Sequence, residues 1–179
     1  MSPEGQRRYF EPRAHALRDR YLAAFGGDEI PVPVEAIAED LLGLRVEESD
    51  ELGDCSGMLL PAERLILVNA GERLAGEVPV RRQRFTVAHE LGHWVCHALG
   101  ARLPQPTYCR AKDLAEDADR ALEREANVFA AELLMPEEAV RAAWAAEPAI
   151  EAVAVRFGVS GLAAHWRLYG FGLVEERPA

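Results

Sequence analysis

His89-Glu90-Leu91-Gly92-His93 sets two imidazoles one helical turn apart with a carboxylate between them. An α-helix turns once in about 3.6 residues, so positions i and i+4 share a face. Both rings can then reach a single metal ion at about 2.0–2.1 Å. Glu90 is rotated off that line, where it is placed to act as a base rather than a ligand. This HExxH spacing is that of zinc hydrolases, in which the metal acidifies a water and a nearby carboxylate removes its proton.

The stretch demands a helix, and its flanks supply one. Pro79 suits the first turn, and the pattern runs to about Leu99, with Gly100 as the stop. Val87, Leu91, Val95 and Ala98 form a stripe for the core, with His89 and His93 roughly opposite. Gly92 weakens a helix by about 1 kcal/mol relative to Ala, which makes sense where another element packs close.

Upstream, residues 44–47, 56–60 and 65–69 read as short strands, the last two joined by a Pro61-Ala62-Glu63-Arg64 turn. A short three-stranded antiparallel sheet is expected. Residues 3–25 read as a helix interrupted near Pro12 and stopped by Gly26-Gly27-Asp28. Residues 33–42 carry a helical stripe of Val34, Ile37, Ala38 and Leu41, ended by Gly43.

Downstream, residues 103–110 contain two prolines and read as a loop. A helix follows, opening near Leu114 or Asp119 and closing at Met135. Pro136 opens a short helix to about Ala146. Residues 148–157 and 160–168 form a helix pair broken at Gly158, and residues 171–174 a last strand. Helices, then a short sheet, then more helices indicate an α+β fold. The expected division is an N-terminal helix (1–30), a core (31–147), and a C-terminal helix-turn-helix-like segment (148–179) packed on that core.

Two histidines do not complete a catalytic zinc site, which usually takes three protein ligands. An HExxHxxGxxH extension is excluded, because Cys96 and Leu99 stand at its glycine and histidine positions. The third ligand must then come from a second helix, and residues 122–135 provide it. Leu122, Ala126, Phe129 and Leu133 share its core face. Glu125 and Glu132 share an outward one. Glu123 borders the core face beside Ala126, Asn127 and Ala130, whose small size lets the two helices approach. Glu123 is therefore chosen as ligand, with Glu125 as the fallback.

The chain has 179 residues, 49% of them hydrophobic, and a formal net charge of −10. The length suits one domain or one domain with a small appendage. The acidity disfavours non-specific binding to nucleic acid or to an anionic membrane surface. No run approaches the roughly 18–20 apolar residues of a membrane span, and the polar start lacks a signal-peptide core. Three cysteines, Cys55, Cys96 and Cys109, do not make a disulfide scaffold, so a reducing cytoplasm is expected.

Arg84-Phe85-Thr86-Val87-Ala88-His89-Glu90-Leu91-Gly92-His93 and Glu123-Arg124-Glu125-Ala126-Asn127-Val128-Phe129-Ala130-Ala131-Glu132-Leu133-Leu134-Met135-Pro136 together resemble the ImmA/IrrE family of metallopeptidases. So do Val34-Glu35-Ala36-Ile37-Ala38 with Leu44, Ser56-Gly57-Met58 with Ile66-Leu67-Val68-Asn69, and Phe157-Gly158-Val159-Ser160 with Ala164 and Arg167-Leu168. The likeness spans most of residues 30–175. It implies a zincin-like core and a cytoplasmic, zinc-dependent endopeptidase of the HExxH-plus-Glu (gluzincin) type. His89, His93 and Glu123 would then bind Zn2+, with Glu90 as base. The implied partner is a protein, an XRE-type helix-turn-helix repressor or antitoxin, cut in a stress or mobile-element response. Cys96 and His97, and the pair Cys109-Arg110, depart from the family pattern.

The remaining candidates are read plainly. His97 lies one turn past His93 and is expected to be a half-exposed helix histidine. Asn127 is a candidate to hold a ligand in place, Tyr108 a candidate oxyanion donor, and Cys109 a candidate zinc thiolate. Trp94, Trp144 and Trp166 are taken as packing residues; His15 and His165 receive no role. Arg81-Arg82-Gln83-Arg84 reads as a solvated face or as an arginine orienting a carboxylate. A DNA-binding regulator is the main rival, since residues 150–169 have a helix-turn-helix outline. Residues 136–179, however, hold 4 arginines against 6 glutamates, a net of −2, where phosphate binding needs the opposite sign. A partner-sequestering relative without hydrolysis is the third reading.

Overall fold

A computed structural model describes residues 3–27, 30–71, 77–98, 107–109 and 117–178; side chains are described from Tyr9 onward, except at 28–29, 72–79 and 98–119. Helix α1 (Pro3–Phe25) presents Phe10, Ala14 and Leu17 to the core at i, i+4 and i+7. It is continuous, where an interruption near Pro12 was expected. Pro12 is exposed, so solvent can meet the backbone carbonyl its ring leaves without a donor. Helix α2 (Val34–Ala36) widens into a π-helical turn (Ile37–Leu41) and buries Val34, Ile37 and Ala38.

Strands β1 (Arg45–Ser49), β2 (Gly57–Leu60), β3 (Leu65–Asn69) and β4 (Thr107–Cys109) form one sheet in the order β1-β3-β2-β4. β2 runs antiparallel to both β3 and β4, but β1 runs parallel to β3. The sheet is thus mixed and four-stranded, not three-stranded and antiparallel. The β2–β3 hairpin is set locally by the Pro61–Glu63 turn and by Arg64, at φ 51°. The side of β3 that β1 takes is set by the connection between β1 and β2, which the Asn69 side chain pins by donating to Gly53 O and Cys55 O. β4 falls within the stretch expected to be a loop.

Helix α3 (Glu77–His93) continues as a π-helical turn (Trp94–Ala98); its expected end at Leu99 and Gly100 lies outside the described residues. Helix α4 (Asp117–Leu134) packs against both α1 and α3. Helices α5 (Glu137–Ala146), α6 (Ile150–Phe157) and α7 (Gly161–Gly170) follow, with Gly158 between the last two at φ 62°. The expected strand at residues 171–174 is absent. The amides of Phe171 and Leu173 bond back to carbonyls of Arg167 and Leu168, capping α7, and so make no ladder. Among the described residues, no helix is long and apolar enough to cross a membrane.

Candidate metal centre

Helix α3 is enclosed on all sides where it matters: every residue from Thr86 to Trp94 is buried. The histidine face expected to oppose the core is itself covered by α4. The two helices meet at Gly92, where an added Cβ would stand 3.1 Å from Ala126 Cα and 3.2 Å from Ala126 O. Absence of a side chain is what lets α4 come close enough to bring Glu123 over the imidazoles. His89 Nε2 lies 3.1 Å from Glu123 Oε2, His93 Nε2 lies 3.0 Å from Glu123 Oε1, and the two Nε2 atoms are 3.0 Å apart. These donors form a group that could hold a metal ion. Their spacing is a few tenths of an ångström short of about 3.3 Å, the tetrahedral edge for bonds of about 2.0–2.1 Å.

The partners behind the rings test that fit. His89 Nδ1 lies 3.2 Å from Asn127 Oδ1, an acceptor, so the ring hydrogen belongs on Nδ1. His93 Nδ1 lies 3.1 Å from His97 Nδ1, and His97 Nε2 lies 3.1 Å from Glu125 Oε2. A carboxylate can only accept, so His97 donates from Nε2 and must accept at Nδ1. His93 then carries its hydrogen on Nδ1. His93 and His97 stay neutral, because burial pushes their pKa down more than Glu123 and Glu125 push it up. With the hydrogen of each ring on Nδ1, the Nε2 lone pairs of His89 and His93 point inward, toward each other and toward a carboxylate, an arrangement that suits a cation between them.

Glu90 follows His89 on the same helix and is fully buried. Strand β2 presses on it: a Cβ at Gly57 would lie 3.4 Å from Glu90 Oε1 and 2.4 Å from Thr86 Cγ2. Two other expectations change. His97 is not half-exposed, with 9% of its side chain accessible, and Glu125 is its partner rather than an outward surface charge. Glu132 is 1% exposed and gives both oxygens to Arg167, at 2.8 and 2.5 Å. The signal for His97 was its i+4 spacing from His93, which alone does not name a partner.

A second group, Glu11, His15 and Glu132, also brings ligand atoms within 4.8 Å of one another. A cation there would have to displace the Arg167 guanidinium. Burial raises the Cys96 thiol to about 12, so it is protonated and unreactive near neutrality. Tyr108 and Cys109 have described backbone in β4, but their side chains lie outside the described set. Arg81 and Arg84 are largely covered rather than solvated, and each faces a carboxylate, Glu151 and Glu35, while Arg82 is exposed. Arg81 pairs with Glu151 at 2.6 Å, and Arg84 donates to Gly158 O and Val32 O at 3.2 and 2.6 Å.

The family model of the IrrE N-terminal-like domain, a peptidase domain, matches residues 59–169, more than half of the chain. The chain belongs to the ImmA/IrrE family. The match takes in α3 and α4 and hence all four residues of the centre. No curated protein matches the chain. A solved structure of a Mycobacterium tuberculosis transcriptional regulator is similar in fold, with a TM-score of 0.57 and 23% identity. The alignment covers 94% of this ImmA/IrrE chain and 52% of the regulator, so the chain spans about half that protein's length. His97 and Cys96, the departures from the family pattern noted in the sequence, sit on the π-helical turn that follows the second histidine. Such turns recur at functional sites.

Proposed function

We propose that the chain is a zinc-dependent endopeptidase of the cytoplasm that cuts a protein partner, an XRE-type helix-turn-helix repressor or antitoxin, in a stress or mobile-element response. The observation that carries this is the convergence of two inward Nε2 lone pairs and the Glu123 carboxylate, with buried Glu90 next to His89 on α3. His89, His93 and Glu123 would hold the ion. When bound, zinc would supply a Lewis acid for the scissile carbonyl and bring a water's pKa down toward neutrality. Glu90 would take a proton from the attacking water and carry it to the leaving amine. Asn127 and the His97–Glu125 pair fix the imidazole orientations, so no rearrangement is needed as charge develops.

The net charge of −10 suits a basic partner, as DNA-binding proteins usually are, and would speed encounter with one. An extended substrate segment cannot pair with β2, which is flanked by β3 and β4, so strand addition would use an outer strand, β1 or β4. We read residues 148–179 as a unit that docks on the 31–147 core and binds protein rather than DNA. Its second helix has Arg167 as its permanent cation, and that cation is engaged by Glu132.

Glu90→Gln tests the mechanism. It should keep stoichiometric zinc, measured by atomic absorption, while cleavage of a helix-turn-helix repressor encoded beside it slows by about 10²–10⁴-fold. Cleavage at the parent rate would remove Glu90 from the chemistry.

A further inference from the structure

A cavity of ≈ 970 Å³ opens beside the metal centre, and His89, Thr86 and Asn127 contribute to its wall. The same cavity is walled by Leu162, Trp166 and Phe171, from α7 and the turn behind it. That volume is at the upper end for ligand sites and exceeds what one side chain fills.

Helix α7 has two apolar faces. Ala164 and Leu168 are buried and anchor it. Leu162, Trp166 and Tyr169, at i, i+4 and i+7, form a second stripe that is 55%, 42% and 38% exposed. A soluble helix rarely leaves such a stripe open unless something binds there. In a DNA-reading second helix this face would carry polar and basic side chains.

We propose that Leu162 and Trp166 form the specificity wall of the substrate channel, receiving bulky aliphatic or aromatic side chains of the polypeptide that lies across the metal centre. This rests on the metallopeptidase reading. Continuity argues for that occupant: one cavity joins His89 and its partner Asn127 to Leu162 and Trp166, so a chain that passes His89 runs along the α7 stripe. The helix pair then has a task in the reaction without touching nucleic acid.

The test uses the full chain loaded with zinc, uptake being measured first by equilibrium dialysis. Two pentapeptides bearing a hydroxamate metal anchor, one of Gly and Ser, one of Leu and Phe, are titrated by calorimetry. The apolar probe should bind the parent about tenfold or more tighter, the scale of pocket discrimination by apolar groups. Leu162→Ser with Trp166→Ser should shrink that preference to about twofold and leave the Gly/Ser probe unchanged. Trp166→Phe alone should retain it. Both positions are exposed, and an unchanged urea midpoint shows that the fold is intact. Equal affinities on the parent, or a preference that survives the double substitution, overturn the assignment. Failure to take up zinc overturns the metallopeptidase reading and the channel with it. A parent that prefers the apolar probe but cuts nothing supports the channel and removes the hydrolase.

Discussion

His97 shows how one side chain can decide the tautomers of its neighbours. Its Nε2–H is committed to Glu125, so its Nδ1 must accept from His93. Replacing it with Phe keeps the ring's bulk but removes that acceptor. Zinc affinity should fall about 10–100-fold, the usual cost of losing an outer partner of a metal-bound histidine, read by competition with a chromophoric chelator. Glu125→Gln keeps an acceptor oxygen and should cost less. An unchanged affinity for both variants would mean that the Asn127 and Glu123 contacts suffice. At this scale the sequence was informative where chemistry and spacing coincide: His89, His93 and Glu123 do meet, and Asn127 does stand behind His89. It was uninformative for His97 with Glu125 and for Glu132 with Arg167. Each pair joins separate helices, and helical periodicity assigns a face without naming what covers it.

Elements were legible in proportion to how local their causes are. The β2–β3 hairpin follows from its turn, and α2, α5, α6 and α7 follow from apolar spacing and from breakers such as Gly43 and Gly158. The parallel placement of β1 and the addition of β4 depend on partners distant in sequence, which alternation along one strand does not reveal. Gly92 is the element-level feature that most directly serves the site. Gly92→Ala would gain about 1 kcal/mol of helix propensity. It would also push a methyl against the Ala126 backbone and Phe129, and over-packing of a packed helix contact costs about 1–3 kcal/mol. The neighbour is backbone on a helix wedged between α1 and α3, so it gives little, and the clash should win. The expected result is a net loss of about 1 kcal/mol in urea unfolding, with weaker zinc binding because α4 carries Glu123 away. A variant more stable than the parent with unchanged zinc affinity would show that the helices separate without disturbing the centre.

The molecule is tied together across its length by arginines in low-exposure positions. Arg84 on α3 bonds to Val32 O ahead of α2 and to Gly158 O between α6 and α7. Arg167 on α7 reaches Met135 O at 2.9 Å and grips Glu132 of α4 with two nitrogens, where side-chain exposure is 10% and 1%. The C-terminal helices are thereby joined to the helix that carries Glu123. Arg167→Ala would leave a buried carboxylate without its guanidinium, a loss of about 3–5 kcal/mol when one partner of a buried pair is removed. Such a loss is a large part of a typical domain's stability, so the urea midpoint should drop sharply. Arg167→Met with Glu132→Leu removes both charges and keeps apolar bulk, and should recover most of the loss. If residues 148–179 were only an appendage, Arg167→Ala would barely move the midpoint and zinc affinity would be untouched. A shared fall in both, reversed together in the double variant, would show that the segment and the metal centre are one cooperative structure.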